Sequence, residues 1–226
     1  MAADDSPPGS SRFRVVLFDL DGTLLDTLAD IGESMNEVLA SEGHPVHPLA
    51  AYRDFIGDGV ALLAERALPP ALRDRRTVAE CVDRMREVYG GRWDRRTRPY
   101  DGIPGLLARL QALGLPLAIL SNKPHELTRL VTERLLPDTR FELVVGAEVP
   151  RKPDPTAALA IARDLDVIPS AIAYVGDTAT DMRTADAAGM YAVGAVWGFR
   201  DAEELAAAGA RALAVHPAQV AEILCR

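Results

Sequence analysis

Apolar residues in this chain fall into short continuous runs, separated by longer stretches in which they recur with helical spacing. Continuous runs of this length are typical of strands that are buried on both faces of a sheet. The pattern predicts strands at residues 15–18, 115–120, 143–146 and 171–175, and at a more Gly/Ala-rich run, 191–197.

Helical patterns separate the predicted strands in the second half of the chain. They cover residues 103–113, 126–136, 156–165 and 181–188, and an Ala-rich helix is expected at 202–210. Strands that alternate with helices of this length indicate βαβ units and a parallel sheet with helices on both faces. We therefore expect an α/β fold with a doubly wound, Rossmann-like parallel sheet.

The segment between the first predicted strand and residue 98 interrupts this alternation. It contains no clear strand pattern, and its apolar residues are spaced by three or four positions, as in Val60, Leu63, Ala64 and Ala67. Such spacing is typical of helices that bury one face. About 70 residues of helix inserted after one strand predict a second, smaller all-helical cap domain.

This insertion defines a predicted division of the chain. The α/β core would comprise residues 12–26 and 98–226, and the cap residues 27–97, with hinges near Asp26 and around Arg98. Residues 1–11 are acidic and rich in Pro, Gly and Ser, so we expect them to form a flexible tail.

Composition and charge narrow the classes of function. The 226 residues include 25 Lys and Arg against 33 Asp and Glu, a net charge of −8, and 48% of the residues are apolar. The apolar fraction is sufficient for a folded core. The acidic excess disfavours a nucleic-acid partner, which would require positive charge, and is compatible with a hard cation held by carboxylates.

The sequence also bears on the cellular compartment. Cys81 and Cys225 are far apart and lack partners, so neither a disulfide framework nor a zinc site is expected. No stretch of 18 apolar residues occurs, and the first residues lack the basic and apolar regions of a secretion signal. We expect a cytoplasmic protein without a membrane partner.

Polar residues capable of chemistry follow several of the predicted strands. In an open parallel sheet, ligands bind in the crevice outside the carboxyl ends of the strands, so these residues should meet there. The candidates are Asp19, Asp21, Ser121, Asn122, Lys152, Asp177 and Asp181.

The charges of this group indicate its chemistry. Asp19, Asp21, Asp177 and Asp181 are acidic, and only Lys152 opposes them. Carboxylates this close repel one another unless protons or a cation compensate them. Oxygen ligands suit Mg²⁺, and a cation together with a lysine would admit a phosphate group. The sequence therefore predicts phosphoryl transfer.

Within that class the residues suggest separate roles. Asp19 would be the nucleophile that forms an aspartyl phosphate, and Asp21 would protonate the leaving group and then activate water. Ser121 would donate to phosphate oxygens, and Lys152 would neutralise charge on Asp19 and the phosphoryl group. The hydroxyl of Thr23 would hold the turn or Asp21 itself, and Thr23 is also a candidate substrate contact.

Four ordered motifs resemble those of the haloacid dehalogenase superfamily, and the helical insertion resembles that superfamily's cap. The motifs are Asp19-Leu-Asp-Gly-Thr-Leu24, Ser121-Asn122, Lys152-Pro-Asp-Pro155, and Gly176-Asp177 with Asp181. The resemblance implies magnesium ligation by Asp19, by the main-chain carbonyl of Asp21 and by Asp177, with Asp181 supporting bound waters or Lys152. Superfamily dehalogenases need no metal and lack an acid at the position of Asp21, so dehalogenation is not expected.

Further segments resemble the phosphoglycolate phosphatase group. They are Ile56-Gly-Asp-Gly-Val60, Glu65-Arg-Ala-Leu68, Ser121-Asn-Lys-Pro124 and Trp197-Gly-Phe-Arg200. The resemblance implies a small phosphorylated metabolite as partner, with 2-phosphoglycolate the leading substrate. Gly57 and Gly59 would let the backbone approach it, Arg66 or Arg53 would pair with its carboxylate, and Asn122 is a candidate contact.

Several alternatives stay open from the sequence. A pyrophosphatase, a sugar-phosphate phosphatase or a phosphomutase would share the core motifs, and a phospho-receiver signalling module is a more distant alternative. Arg66 could equally be a salt-bridge partner within its helix. We expect Asp26 and Thr27 to cap the first cap helix, Lys123 to lie at the surface, and the protein to be a monomer or a homodimer.

Overall fold

A computed structural model describes residues 12–147 and 150–225. The predicted tail at residues 1–11 lies outside the described residues. Within the described part of the chain, six strands form one parallel sheet. They are β1 (Val15–Phe18), β4 (Leu117–Pro124), β5 (Leu143–Ala147), β6 (Ile172–Gly176), β7 (Tyr191–Ala195) and β8 (Ala212–Ala214), with β2 (Leu25–Asp26) and β3 (Arg98–Pro99) forming a separate pair.

The sheet order places the first strand in its interior. The order is β5-β4-β1-β6-β7-β8, and β1 pairs in parallel with β4 on one side and β6 on the other. All five predicted strands are present, so the parallel α/β prediction is confirmed. The edge strand β8 was not predicted, because its run of three residues carries no distinctive periodicity.

Helices cover both faces of this sheet. Their ranges are α1 (Leu28–Ser41), α2 (Tyr52–Phe55), α3 (Val60–Ala67), α4 (Arg75–Gly90), α5 (Ile103–Ala112), α6 (His125–Leu135), α7 (Thr156–Asp164), α8 (Ala179–Ala187), α9 (Ala202–Ala207) and α10 (Pro217–Leu224). Helices α5, α6 and α10 pack on one face, and α7, α8 and α9 on the other. The fold is therefore doubly wound, as predicted.

The burial of β1 explains its continuous apolar run. Val16 and Phe18 face the cluster that contains α5 and α10, while Val15 and Leu17 face the cluster that contains α7 and α8. All four side chains are fully buried. Because successive strand residues point to opposite faces, a strand covered on both sides needs an apolar residue at every position.

The segment between β2 and β3 carries the helices α1 to α4, joined by loops and turns, and residues 27–97 contain no strand. Strands β2 and β3 pair antiparallel where the chain leaves the sheet and returns to it. The inserted helices have their own core, which includes Met35, Tyr52 and Met85. The all-helical cap is thus observed, while the exact domain boundaries stay a prediction.

A buried carboxylate ties together the two ends of this segment. Oδ2 of Asp30, in the first turn of α1, accepts hydrogen bonds from the backbone nitrogens of Arg96 (2.9 Å) and Thr97 (2.8 Å) and from the Thr97 hydroxyl (2.7 Å). Hydrogen bonds to a buried carboxylate contribute more than neutral ones. Asp30 therefore joins the start of α1 to the segment that leads into β3, next to the core.

The prediction that Asp26 and Thr27 cap α1 is wrong. Thr27 occupies the N-cap position, but its side chain makes no capping hydrogen bond, and its buried Oγ1 has no partner. Asp26 belongs to β2 and pairs with Arg98. The backbone of Thr27 is helical rather than extended, at φ −104° and ψ 0°, and a capping side chain usually requires the extended conformation.

Among residues 12–147 and 150–225, no helix combines the length and the apolar character needed to cross a membrane.

Candidate active site

The carboxyl ends of three adjacent strands bring most of the predicted site residues together. Asp19 follows β1 directly, Ser121 lies in β4, and Asp177 follows β6. Because β1 lies between β4 and β6, these residues converge although they are distant in sequence. Oxygen atoms of Asp19, Asp177 and Asp181 lie within 4.8 Å of one another, and all three residues are buried. The predicted convergence is observed.

Lys152 is held at the centre of this cluster. Its Nζ lies 2.9 Å from Oδ1 of Asp19, 2.7 Å from Oδ1 of Asp181 and 3.0 Å from the Leu120 carbonyl oxygen. The side-chain oxygen of Asn122 accepts from the Lys152 backbone nitrogen at 3.1 Å, and its amide donates to the Lys152 carbonyl at 3.2 Å. The amide of Asn122 thus orients the lysine. The sequence predicted only a substrate contact for Asn122 and did not predict this role.

Asp181 serves both the site and its own helix. Its Oδ2 accepts from the backbone nitrogen of Thr178 at 3.0 Å and from the Thr178 hydroxyl at 2.6 Å, which completes the capping box of α8. Its Oδ1 accepts from Lys152 and from the Tyr174 hydroxyl, the latter at 3.2 Å. The helix terminus therefore fixes the carboxylate that positions Lys152.

Of the two alternatives for the Thr23 hydroxyl, holding the turn or holding Asp21, the contact with Asp21 is wrong. The hydroxyl donates to Oδ1 of Asp177 at 2.7 Å, and the residue is fully buried. The backbone nitrogen of Phe199 donates to Oδ2 of the same carboxylate at 2.9 Å. Gly22, at φ +90°, permits this packing, because a Cβ there would lie 2.2 Å from Oδ2 of Asp177.

The electrostatics of the cluster favour a bound cation. Burial and the charge of Asp181 raise the pKa of Asp19 to about 7, against the opposing effect of Lys152. Burial, Asp19 and Asp181 raise the pKa of Asp177 well above its ordinary value. Oδ1 of Asp19 is buried, and its charged neighbour is the Lys152 ammonium at 2.9 Å. An oxygen-only donor set of this charge fits a hard divalent cation such as Mg²⁺.

These raised pKa values predict how stability depends on pH without metal. Between pH 4.5 and 7 the folded chain holds protons on Asp19 and Asp177 that the unfolded chain releases, so ionisation favours unfolding as pH rises. Asp19→Asn removes one of these groups. In EDTA, the melting temperature of the variant minus that of the wild type should therefore increase with pH over this window.

Calorimetry at several pH values measures that difference. Added Mg²⁺ should stabilise the wild type increasingly over the same window, because metal binding displaces the protons. A difference between the two melting temperatures that is constant or falls with pH would contradict the assigned cause.

Lys123 is buried, and the prediction of a surface lysine is wrong. Its side chain is 4% exposed, and its Nζ lies 3.0 and 3.1 Å from the two carboxylate oxygens of Asp21. The Nζ also donates to the hydroxyl of Tyr89 in α4 at 3.0 Å. Burial lowers the pKa of Lys123, but Asp21 and Tyr89 outweigh it and raise the pKa above its usual range. The side chain is a charged link between core and cap.

One sequence signal could have revealed this residue. The chain has 23 arginines and two lysines, Lys123 and Lys152, and both lysines are buried in this site. A compact ammonium group fits where a planar guanidinium does not. Because all the other Lys and Arg positions of this chain are arginines, each of the two lysines was a candidate for a confined, buried position.

A cavity of about 330 Å³ lies between these residues and the cap. Its floor includes Asp19, Asp21, Ser121 and Lys123. The cap contributes mainly apolar walls: Ile31, Ile56, Val60, Leu63 and Met85. A largely apolar cleft above convergent charged groups is typical of a substrate pocket.

The predicted glycine loop borders this cavity. It consists of residues 56–59, between α2 and α3, and is called the cap loop below. Gly57 and Gly59 line it with φ values of +126° and +91°, which favour glycine. The Asn122 amide donates to the carbonyl of Gly57 at 3.2 Å, and the Thr180 hydroxyl donates to Asp58 between the two glycines. The loop therefore spans from the cap to the core across the pocket.

Arg66 forms a salt bridge with this loop, rather than the predicted salt bridge within its own helix. Its Nη2 lies 2.5 Å from Oδ2 of Asp58, and its Nη1 donates to the carbonyl of Phe55 at 3.0 Å. Arg53 donates to the Gly198 carbonyl. Neither arginine lines the cavity. The predicted pairing of a cap arginine with substrate therefore does not match their placement.

The segment from Trp197 to Arg200 connects core and cap. The side chain of Phe199 packs in the cap cluster, although the segment follows β7. The Arg200 guanidinium donates to the carbonyls of Arg53 and, at 3.0 Å, Ile56. Since the backbone nitrogen of Phe199 also holds Asp177, this segment joins the acidic cluster to the cap loop.

Comparison with known proteins places the chain in a family. A model of the haloacid dehalogenase-like hydrolases matches residues 16–195, and the chain belongs to that family. Phosphoglycolate phosphatase of Xylella fastidiosa (strain 9a5c) is 35% identical over 202 residues, covering 87% of this chain and 86% of that protein. The phosphoglycolate phosphatase of Aquifex aeolicus (strain VF5) is 34% identical over 188 residues, covering 82% and 86%.

A solved structure agrees with these relatives. That of a predicted phosphoglycolate phosphatase from Haemophilus somnus is similar with a TM-score of 0.88 at 25% identity, covering 95% of this chain and 99% of that one. The chain is therefore an enzyme, a phosphoric monoester hydrolase that resembles the phosphoglycolate phosphatases. The superfamily expected from the motifs is confirmed.

Proposed function

We propose that the enzyme hydrolyses a small phosphomonoester in a Mg²⁺-dependent reaction through an aspartyl phosphate, with 2-phosphoglycolate as the leading substrate. The observation that carries this proposal is the placement of Asp19 on the cavity floor, against Lys152 and beside Asp21. The relatives named as phosphoglycolate phosphatases support the choice of substrate.

The first half of the reaction transfers the phosphoryl group to the enzyme. A carboxylate oxygen of Asp19 forms a bond to phosphorus while the bond between phosphorus and the ester oxygen breaks. Asp21 gives its proton to the departing oxygen, which leaves as glycolate. Lys152 and Ser121 stabilise the charge that spreads over the phosphoryl oxygens.

The second half returns the enzyme to its starting state. The Asp21 carboxylate takes a proton from a water molecule, whose oxygen forms a bond to phosphorus. The bond between phosphorus and Asp19 then breaks, and inorganic phosphate is released. Asp21 is again protonated, so both protons and charge balance over the cycle.

Asp19, Asp177 and the main-chain carbonyl of Asp21 would hold the magnesium ion. The ion supplies positive charge that offsets the clustered carboxylates and the phosphate oxygens. Thr23 and the backbone of Phe199 orient Asp177, and Asp181 orients Lys152.

Residues 27–97 would act as a cap over the reacting groups. The apolar walls of the cavity exclude water from the phosphoryl group until the leaving group departs. Contacts of Asp58, Arg53 and Arg200 across the boundary hold the cap loop against the core. Opening of these contacts would then release product.

A phosphate-release assay over a panel of small phosphate esters, with Mg²⁺ and with EDTA, tests the proposal. We expect 2-phosphoglycolate among the best substrates and loss of nearly all turnover in EDTA, restored by Mg²⁺. Activity that is insensitive to chelation would contradict the metal site. Release of an isomerised phosphate ester instead of inorganic phosphate would indicate a mutase, and preference for pyrophosphate would overturn the substrate assignment.

A further inference from the structure

Lys123 occupies a position for which the proposed reaction so far has no use. It lies near the end of β4, lines the cavity, and is almost fully buried. Its ammonium group is 3.0 Å from Asp21, the residue that protonates the ester oxygen in the proposed reaction. A substituent on the carbon that carries that oxygen must therefore lie close to Lys123.

The ammonium group can still make a further hydrogen bond. An ammonium has three N–H donors. Asp21 and Tyr89 are its hydrogen-bond partners, and the Tyr89 ring centre lies 4.7 Å from Nζ. The two Asp21 oxygens lie at nearly equal distances, 3.0 and 3.1 Å, so one shared N–H serves this carboxylate, and a second N–H donates to the Tyr89 hydroxyl at 3.0 Å. The third can serve an acceptor in the cavity.

Other cations near the cavity are exposed or have partners elsewhere, and Arg151, whose guanidinium lies beside Gly59, is among the exposed ones. Of the described residues that line it, Lys123 and Arg86 are basic. Arg86 is an exposed rim residue, and its Nη1 lies 3.0 Å from Oδ1 of Asp83. Arg53 and Arg66 bind groups of the cap loop and its core neighbours, as described above. Lys123 is therefore the buried cation available to a charged leaving group.

The apolar cap walls of the cavity offer no favourable site for a carboxylate. A carboxylate placed against Leu63 or Met85 would lose its hydration without compensation, which is costly. The same carboxylate beside Lys123 would make a charge-assisted hydrogen bond in a water-poor space. The cavity therefore offers a leaving-group carboxylate one favourable direction, toward β4.

We propose that Lys123 is the specificity-determining residue that binds the carboxylate of the leaving group, and that Tyr89 holds it in place from the cap. The enzyme then selects phosphate esters of short hydroxy acids, in which the carboxylate is adjacent to the ester carbon, over neutral esters of equal size. This inference rests on the proposed function. It adds the residue that recognises the leaving group.

The test compares 2-phosphoglycolate with 2-hydroxyethyl phosphate, which replaces the carboxylate with a neutral CH₂OH group. Wild type should prefer phosphoglycolate in kcat/KM. Lys123→Met should reduce this preference by about 10- to 100-fold, the range for a charge-assisted hydrogen bond in a buried site, mainly through KM. Lys123→Arg, which retains the charge, should keep part of the preference. Arg129→Met, which removes an exposed cation of α6 outside the cavity lining, should leave it unchanged.

The outcomes separate the inference from the proposed function. If Lys123→Met lowers kcat/KM for both esters by the same factor, Lys123 acts only through Asp21 and the inference is overturned. If wild type hydrolyses neither ester, the proposed substrate class fails before any variant is made.

A second measurement does not depend on the stability of Lys123→Met. In the Asp19→Asn protein with ¹⁵N-labelled lysine, the two side-chain signals report Lys123 and Lys152 directly. Phosphoglycolate should shift the Lys123 signal, and 2-hydroxyethyl phosphate should shift it much less. Equal shifts with the two esters would also overturn the inference.

Discussion

Asp19→Asn should abolish phosphate release while the protein remains folded. Asparagine has nearly the same shape but cannot form an acyl phosphate, so we expect kcat to fall by at least about 10⁴-fold, as for other lost nucleophiles. Phosphate release measured with saturating Mg²⁺ checks the activity, and circular dichroism checks the fold.

Stability provides the control for this variant. Asp19 is 5% exposed, and its ionisation is opposed by burial and by Asp181. Loss of its charge should therefore leave the melting temperature in EDTA at or above that of the wild type. Full activity in a folded Asp19→Asn protein would disprove the aspartyl phosphate mechanism.

Lys152→Met should damage both stability and turnover. The ammonium group lies within 2.9 Å of oxygens from Asp19 and Asp181 inside the core. Its removal leaves buried carboxylates without their cation, which costs about 3–5 kcal/mol when one partner of a buried pair is lost. We also expect kcat to fall by about 10²–10³-fold, because a preorganised charge on the phosphoryl group is lost.

A double-mutant cycle separates the pair from the rest of the site. Asp181→Asn added to Lys152→Met removes one of the stranded charges, so the two effects on unfolding free energy should be less than additive by about 0.5–3 kcal/mol. Urea denaturation in EDTA measures the four proteins. Strict additivity would show that Asp181 and Lys152 do not depend on each other.

The sheet could be predicted because its signal is local. The interior strands are buried on both faces, so their burial appears as a continuous apolar run, as in Val15 to Phe18. Strands of only two or three residues are too short to show this signal. Strand β8 has three residues and β2 and β3 have two each, and they exist because a neighbouring strand pairs with them.

Helix α10 was missed for a related reason. It has eight residues and begins with proline at Pro217, which suits a helix start but is not specific to one. Its apolar face becomes meaningful once Val220 and Leu224 pack in the cluster that contains α5. Short helices of this kind are stabilised by tertiary packing more than by local preference.

The members of the site could be predicted as a group, because parallel strands direct their carboxyl ends to one edge. Their contacts could not. The hydroxyl of Thr23 reaches Asp177 rather than the nearby Asp21, across 154 positions of sequence. Arg66 meets Asp58 because the loop turns back at Gly57 and Gly59, a geometry that residue types alone do not reveal.

The sequence by itself determined the α/β class, the helical insertion, the acidic cluster with Lys152, and the superfamily, since these follow from periodicity, charge and ordered motifs. The tertiary structure alone decided that Lys123 is buried between Asp21 and Tyr89, that Arg66 pairs with Asp58, and that Arg53 donates to the Gly198 carbonyl. The physical reason is that a side chain's burial and partners are set by neighbours that are distant in sequence, whereas periodicity and motifs lie within one stretch of chain.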